Sequence, residues 1–282
     1  MQGVDAAAGA IDAHQHFWRY DRANYGWIPE GSALAADHLP ADLRPELDRA
    51  GIAGCIAVQA RQSEDETHWL LELAEANPWI VGVVGWIDLR ADTIAERLEA
   101  LRHPRLIGFR HIVQDEPDPD FLLGDAFVRG IRAVLAADLT YDVLVYARQA
   151  DRVPAFLDRA GEGRFVLDHG AKPDIAAGLW QPWADAIAEI ARRPNIWCKI
   201  SGLVTEADHA NWSAGEIERY LDHLLACFGP ERLIYGSDWP VCRLAAEYET
   251  VHGLARNFVM RACPAHADAI FGGNARRAYK LA

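Results

Sequence analysis

Eight short apolar runs alternate with helical stretches through 282 residues that contain no linker, repeat or composition shift, and this pattern predicts a single-domain (β/α)8 barrel over residues 1–282. The runs are rich in Val and Ile and nearly continuous in hydrophobicity, as strands covered on both faces by helices should be. Hydrophobic residues make up 51% of the chain, enough apolar surface for one large core.

The expected strands are Ala10–His14, Ile52–Gln59, Ile80–Ile87, Leu106–Arg110, Asp142–Tyr146, Arg164–Asp168, Asn195–Ile200 and Arg232–Gly236. Between them, apolar residues recur with helical period: Ile94, Leu98 and Leu101; Phe127, Ile131, Val134 and Leu135; Ile217, Leu221, Leu224, Leu225 and Phe228. Ser63 with Glu66, and Ser213 with Glu216, have the spacing of capping boxes. Pro78, Pro104, Gly161, Pro194 and Gly229-Pro230 stop helices just before strands begin. The acidic stretch Gln114–Asp120 reads as a loop after the fourth strand. An open doubly wound sheet is the architectural alternative, yet no Gly-x-Gly-x-x-Gly turn follows the first run, and Gly272-Gly273-Asn274 does not supply one.

A net charge of -13 and a pI near 5.3 exclude nucleic acids and anionic membranes as natural partners, since both call for basic patches. No apolar run approaches the roughly 20 residues needed to span a bilayer. Met1–Ala10 has neither a basic start nor an apolar stretch, so a cytoplasmic location is expected. Cys55, Cys198, Cys227, Cys242 and Cys263 are odd in number and include no Cys-x-x-Cys pair, the usage of a reduced compartment. Cys242 alone stands near candidate chemistry, and packing is its favoured reading.

In a barrel of this kind, reactive groups emerge where strands end. His14 and His16, two residues apart, face one side of the first strand and can share an ion or a substrate. Arg110 and His111 follow the fourth strand, Tyr146 the fifth, Asp168, His169 and Lys172 the sixth, and Ser237 and Asp238 the eighth. Each also has a structural explanation. Asp238 can cap a turn, His169 can be a satisfied core residue, and Arg110 can serve in an ion pair. Tyr146 can be packing, although its hydroxyl can donate to a carbonyl oxygen, and Lys172 or Lys199 can balance a buried carboxylate. Phe17, Trp18, Tyr20, Tyr25 and Trp27 suit equally a stacking surface for a sugar ring, a lid, or a contact between copies in a homo-oligomer. Trp239 beside Asp238 has a stronger claim on a pocket, and Trp27, Gln59 and Lys199 are further candidates for its lining.

Ile11-Asp12-Ala13-His14-Gln15-His16-Phe17-Trp18, Gly108-Phe109-Arg110-His111, Val166-Leu167-Asp168-His169-Gly170 and Tyr235-Gly236-Ser237-Asp238-Trp239-Pro240 together resemble the amidohydrolase superfamily. The ordered set, from Ile11 to Tyr279, looks most like its sugar-lactonase branch, the L-fuconolactonase and L-rhamnonolactonase group. The resemblance implies a hydrolase that opens the ring ester of an aldonolactone in sugar catabolism. It also implies that His14, His16, His169 and Asp238 surround a divalent metal and the attacking water, and that Arg110 and Tyr146 hold substrate. In that mechanism Asp238 is the general base, and Asp238 or His111 returns the proton to the ring alkoxide. Metal-rich members carry a lysine or glutamate after the fourth strand and a histidine after the fifth, where this chain has Arg110-His111 and Tyr146. The implied metal is therefore one ion at most, zinc, and the branch includes lactonases that work without one. Two alternatives remain: a decarboxylase of an aromatic acid on the same scaffold, and a noncatalytic barrel that binds sugar acids.

Overall fold

The computed structural model describes residues 9–281, so most of the segment Met1–Ala10 read for targeting signals lies outside the described residues. Eight parallel strands follow one another around the sheet in chain order: β1 (Ala10–Gln15), β2 (Ile52–Val58), β3 (Ile80–Gly85), β4 (Leu106–Ile112), β5 (Thr140–Leu144), β6 (Phe165–Leu167), β7 (Ile196–Lys199) and β8 (Leu233–Ile234). Helices α1 (Pro40–Ala50), α2 (Glu64–Ala76), α3 (Ile94–Ala100), α4 (Asp125–Ala136), α5 (Val153–Ala160), α6 (Trp183–Ile190), α7 (Ala214–Phe228) and α8 (Tyr248–Ala262) connect or follow them, and α9 (Asn274–Tyr279) comes last. The barrel closes where Ala13 N donates to Tyr235 O at 3.0 Å, Asp238 N to His14 O at 2.8 Å, and His16 N to Trp239 O at 2.7 Å. This is the (β/α)8 architecture expected from the alternating pattern.

All eight strands differ from their expected bounds by one or two residues at an end, and two of these shifts have a definite cause. β5 begins at Thr140 and ends at Leu144 rather than running to Tyr146. Thr140 pairs with Gly108, where a Cβ would stand only 2.5 Å from the Thr140 carbonyl oxygen, so the bare glycine lets pairing start there. β8 holds only two ladder residues because the chain from Tyr235 onward leaves the ladder with β7 and bonds to β1 instead.

The core has two layers. Inside the barrel, Ile11, Ala13, Ile56, Val58, Val84, Val166 and Ile234 pack with Ala275, Ala278 and Tyr279 of α9, which plugs the barrel bottom. Outside, the predicted helical faces dock on the strands: Phe127, Ile131 and Val134 of α4 and Ile217, Leu221, Leu224 and Phe228 of α7 are buried. Each such side chain contributes roughly 2 kcal/mol on leaving water. The Ser213–Glu216 capping box forms, with Ser213 N donating to Glu216 Oε2 at 2.8 Å. The Ser63–Glu66 box does not. Glu66 turns back to accept from Ala60 N at 2.9 Å, Arg61 N at 3.0 Å and the Tyr25 hydroxyl at 3.1 Å, because these buried donors lack another partner. Among the described residues, no helix is long and apolar enough to cross a membrane.

Candidate active site

A register slip between Asp12 and Gln15 aims the first strand into the site. Asp12 faces the helical layer, where its carboxylate accepts from Tyr248 Oη of α8 at 3.1 Å and Ser237 N at 2.9 Å. Gln15 also faces outward and donates to Cys55 Sγ at 3.2 Å. The slip between them turns His14 toward the barrel mouth, and alternation then brings His16 to the same side, with ring centroids 5.0 Å apart.

The two imidazoles meet Asp238, which stands at the closing seam with a left-handed φ of 60°. Its Oδ1 lies 3.3 Å from His16 Nε2, 3.7 Å from His14 Nε2 and 3.9 Å from His169 Nε2. The following turn is held by the Asp238 main-chain carbonyl, which accepts from Cys242 N, so the side chain is free of the capping role. Burial opposes charge on Asp238, but the imidazoles of His169, His16 and His14 outweigh it and hold the carboxyl below the usual range. Burial pulls His169 down to about 4, against the pull of Asp238 and Asp168. Near neutral pH the pair is thus a carboxylate beside a neutral imidazole. His169 has φ 52° and bonds through Nδ1 to Ser201 Oγ at 2.9 Å. Gly202 packs over both: a Cβ there would sit 2.5 Å from His169 Nδ1 and 3.1 Å from Asp238 Oδ2, and its φ of +65° also favours glycine.

Below this wall lies a floor of paired charges. Lys199, fully buried, reaches Asp142 Oδ2 at 2.6 Å, Asp168 Oδ1 at 2.9 Å and His14 Nδ1 at 3.1 Å. Arg110 donates through Nη1 to Asp168 Oδ2 at 3.0 Å and lies 3.1 Å from His14 Nε2. Tyr279 Oη donates to Asp142 at 2.8 Å. Burial disfavours charge on Asp168, yet Lys199, His14 and Arg110 hold its pKa well down. Burial raises Asp142 to about 6 against the pull of Lys199. Burial and Lys199 keep His14 well below the normal histidine range.

A cavity of about 340 Å³ opens above these groups, lined by His16, Arg110, Tyr146, His169, Lys172 and Asp238, with Trp27 at its lip. Six further sequence candidates lie elsewhere. His111 alternates with Arg110 on β4 and so points into the helical layer, stacked on Phe121; Trp86 Nε1 donates to its Nδ1 at 3.2 Å and its Nε2 donates to Glu116 at 2.6 Å. That tautomer leaves it no role in returning a proton at the mouth. Trp18 is fully buried, donating to Ala36 O at 3.0 Å and packing on Tyr25 and His38. Trp239 packs between Phe17 and His38. Gln59 sits behind Arg110, donating to its carbonyl at 3.2 Å and accepting from its guanidinium. Lys199 belongs to the floor. Cys242 is buried and its thiol is pushed well up by that burial, so it is packing.

The metal donors divide into two overlapping sets, His14–His16–Asp238 and His14–Asp168–His169, rather than one set of four. In the second, Lys199 and Arg110 already neutralise Asp168. In the first, His16 Nδ1 donates to Val58 O at 2.8 Å, which leaves Nε2 as the ring nitrogen that faces the Asp238 carboxylate across 3.3 Å. A ring nitrogen and a carboxylate so placed suit a shared cation, either a proton or a metal ion, and the donor types fit zinc.

A family model described as Amidohydrolase matches residues 11–281. The chain belongs to the amidohydrolase family. This amidohydrolase is 46% identical to a Burkholderia multivorans protein named L-fucono-1,5-lactonase, over 96% of each chain. It is 37% identical to a Burkholderia ambifaria protein of the same name, over 96% of this chain and 95% of that one. A crystal structure of an amidohydrolase from Burkholderia multivorans with bound zinc superposes with a TM-score of 0.94 at 45% identity, covering 97% of this chain and 99% of that one.

Sequence reasoning missed Gln114, Asp115, Thr205 and Glu206, all of which line the cavity of this amidohydrolase. Thr205 and Glu206 follow the seventh strand by a few residues, so the strand-end rule pointed to them. Gln114 and Asp115 open the acidic loop after the fourth.

Proposed function

We propose that this amidohydrolase hydrolyses the ring ester of a sugar lactone, an aldonolactone of the L-fucono-1,5-lactone kind, to the open aldonic acid. The observation that carries the reading is an ionised Asp238 beside three imidazoles, in a cavity that Arg110 also lines and in a chain 46% identical to a protein named for that reaction. Asp238 takes a proton from water as the water oxygen attacks the lactone carbonyl. Arg110, held by Asp168 and Gln59, presents a fixed positive charge to the developing oxyanion. The ring C–O bond then breaks, and the ring alkoxide takes the proton back from Asp238. Tyr146, Lys172 and Trp27 border the space left for the sugar ring.

His14, His16 and Asp238 would hold a zinc ion, and zinc bound there would lower the pKa of its water and neutralise charge on the carbonyl oxygen. Lys199 and Arg110 argue for no more than one ion, because they fill the neighbouring donor set themselves. The decarboxylase and noncatalytic alternatives are not favoured: no histidine stands at the end of β5, and the similar proteins are named lactonases over 96% of this chain. The partner is then a small sugar lactone, with no role for nucleic acid or membrane, and the aromatic lip at Trp27 leaves a surface for a homo-oligomer contact. Five unpaired cysteines support a cytoplasmic location.

Acid release from L-fucono-1,5-lactone and L-fucono-1,4-lactone, followed with a pH indicator on enzyme of known zinc content with and without chelator, tests the reading. Lactone-dependent acid release well above the spontaneous rate is expected. Its absence in both metal states would refute the assignment.

A further inference from the structure

Resting on the lactonase reading, we propose that Lys172 and Glu206 form a subsite that reads two adjacent hydroxyl groups of the sugar ring. Lys172 Nζ lies 3.3 Å from Glu206 Oε1, and the two side chains are only 17% and 16% exposed. Both line the cavity that contains Asp238. Among the described residues, no further hydrogen bond reaches either charged group, so two ammonium protons and most carboxylate lone pairs remain unused beside the cavity. Lys199 is the contrast: its ammonium meets the two carboxylates of Asp142 and Asp168, lies 3.1 Å from His14 Nδ1 and is fully buried beneath the cavity.

The backbone is built to present this pair. His169, Gly170, Ala171 and Lys172 have φ values of 52°, 55°, 59° and 46°, four consecutive left-handed residues of which three carry side chains. Such conformations cost energy and persist where the surroundings enforce them. The surroundings here are three loops stitched together: Ala147 N donates to Lys172 O at 3.3 Å, and Ala176 N to Glu206 O at 2.9 Å. Lys172 also lies 5.2 Å from the centre of the Tyr146 ring, which borders the same space. The result is a fixed donor and a fixed acceptor one hydrogen-bond length apart.

A sugar hydroxyl is both donor and acceptor, so one of a vicinal pair can donate to Glu206 while its neighbour accepts from Lys172. A plain ring lactone would leave both groups desolvated with only each other for a partner, and a site built to hydrogen-bond hydroxyls discriminates against a substrate that lacks them. The pair therefore selects polyhydroxylated lactones.

The test measures kcat/KM on a sugar 1,5-lactone and on unsubstituted δ-valerolactone, for wild type, Glu206→Gln and Lys172→Met. The ratio of the two substrates should fall by about 100-fold or more in each variant, mainly through KM on the sugar lactone. A parallel loss on both substrates, or no loss on either, would overturn the subsite. The wild-type arm by itself decides the lactonase reading. Calorimetric binding of a 1,5-anhydroalditol, which has the ring hydroxyls and no carbonyl, keeps the subsite open to refutation without turnover: binding should weaken in both variants, and unchanged binding would reject the pair.

Discussion

The floor and the wall of the barrel mouth are both built on buried aspartates and balance charge in opposite ways. In the floor, Asp142 and Asp168 meet two permanent cations, Lys199 and Arg110, and the charges close on themselves. In the wall, Asp238 meets only the imidazoles of His14, His16 and His169. A permanent cation quenches a carboxylate, whereas a neutral imidazole leaves it able to exchange protons or share an added cation. Partner chemistry separates Asp142 and Asp168 from Asp238, the proposed base; burial does not, since all three are almost fully buried.

The sharpest way to break this comparison is to neutralise one aspartate in the wall and one cation in the floor. Asp238→Asn should lower kcat/KM on the lactone by at least about three orders of magnitude, about 4 kcal/mol of transition-state stabilisation. Its thermal unfolding should stay close to wild type, and wild-type turnover would end the assignment of Asp238 as base. Lys199→Met should instead cost about 3–5 kcal/mol in urea unfolding, because Asp142 and Asp168 are left buried with too little counter-charge. A variant as stable as wild type would show that the floor is not held by its ammonium.

Glu66 extends the comparison to a buried carboxylate held by neutral donors. Burial pushes it up to about 7, against the hydrogen bonds from Arg61, Ala60 and Tyr25. Between its ordinary pKa near 4.5 and about 7 the folded chain holds a proton that the unfolded chain has released, so stability falls as pH rises through that window. The drop should be up to about 3 kcal/mol and should vanish in Glu66→Gln. Equal pH slopes for the two proteins would show that Glu66 carries no such penalty. The mildest effect belongs to the wall: zinc at about 100 times its Kd should stabilise wild type by about 2.7 kcal/mol. His16→Ala should lose that gain, and a zinc-induced rise in Tm undiminished in this variant would place the ion elsewhere.

The barrel was legible because its strands are apolar on both faces and evenly spaced, and His14, His16, His169 and Asp238 because strand ends converge in such a fold. His111 and Gln59 were misplaced for a definable reason. Neighbouring residues alternate across a strand or its extension, and sequence does not fix which of Arg110 and His111 faces the mouth until register is known. Trp18 and Trp239 were drawn toward the pocket by their chemistry, but the structure spends them on packing around His38. Glu206 escaped notice because its partner Lys172 comes from another loop, and no local pattern announces a pair made only by folding.

The closing seam has a consequence for how the protein comes to life in the cell. Asp12 and Ser237, bonded across it, are 225 residues apart in the chain, and His14 and Asp238 flank the same junction. Contacts of such long range form late, after the intervening strands have found their neighbours. A chain truncated before the eighth strand carries the floor residues Arg110, Asp142, Asp168 and Lys199 but lacks Asp238 of the wall and Tyr279 of the floor. With Asp238 as the proposed base, hydrolysis begins only when the ring is complete, so the rate of appearance of activity during refolding is expected to report on barrel closure.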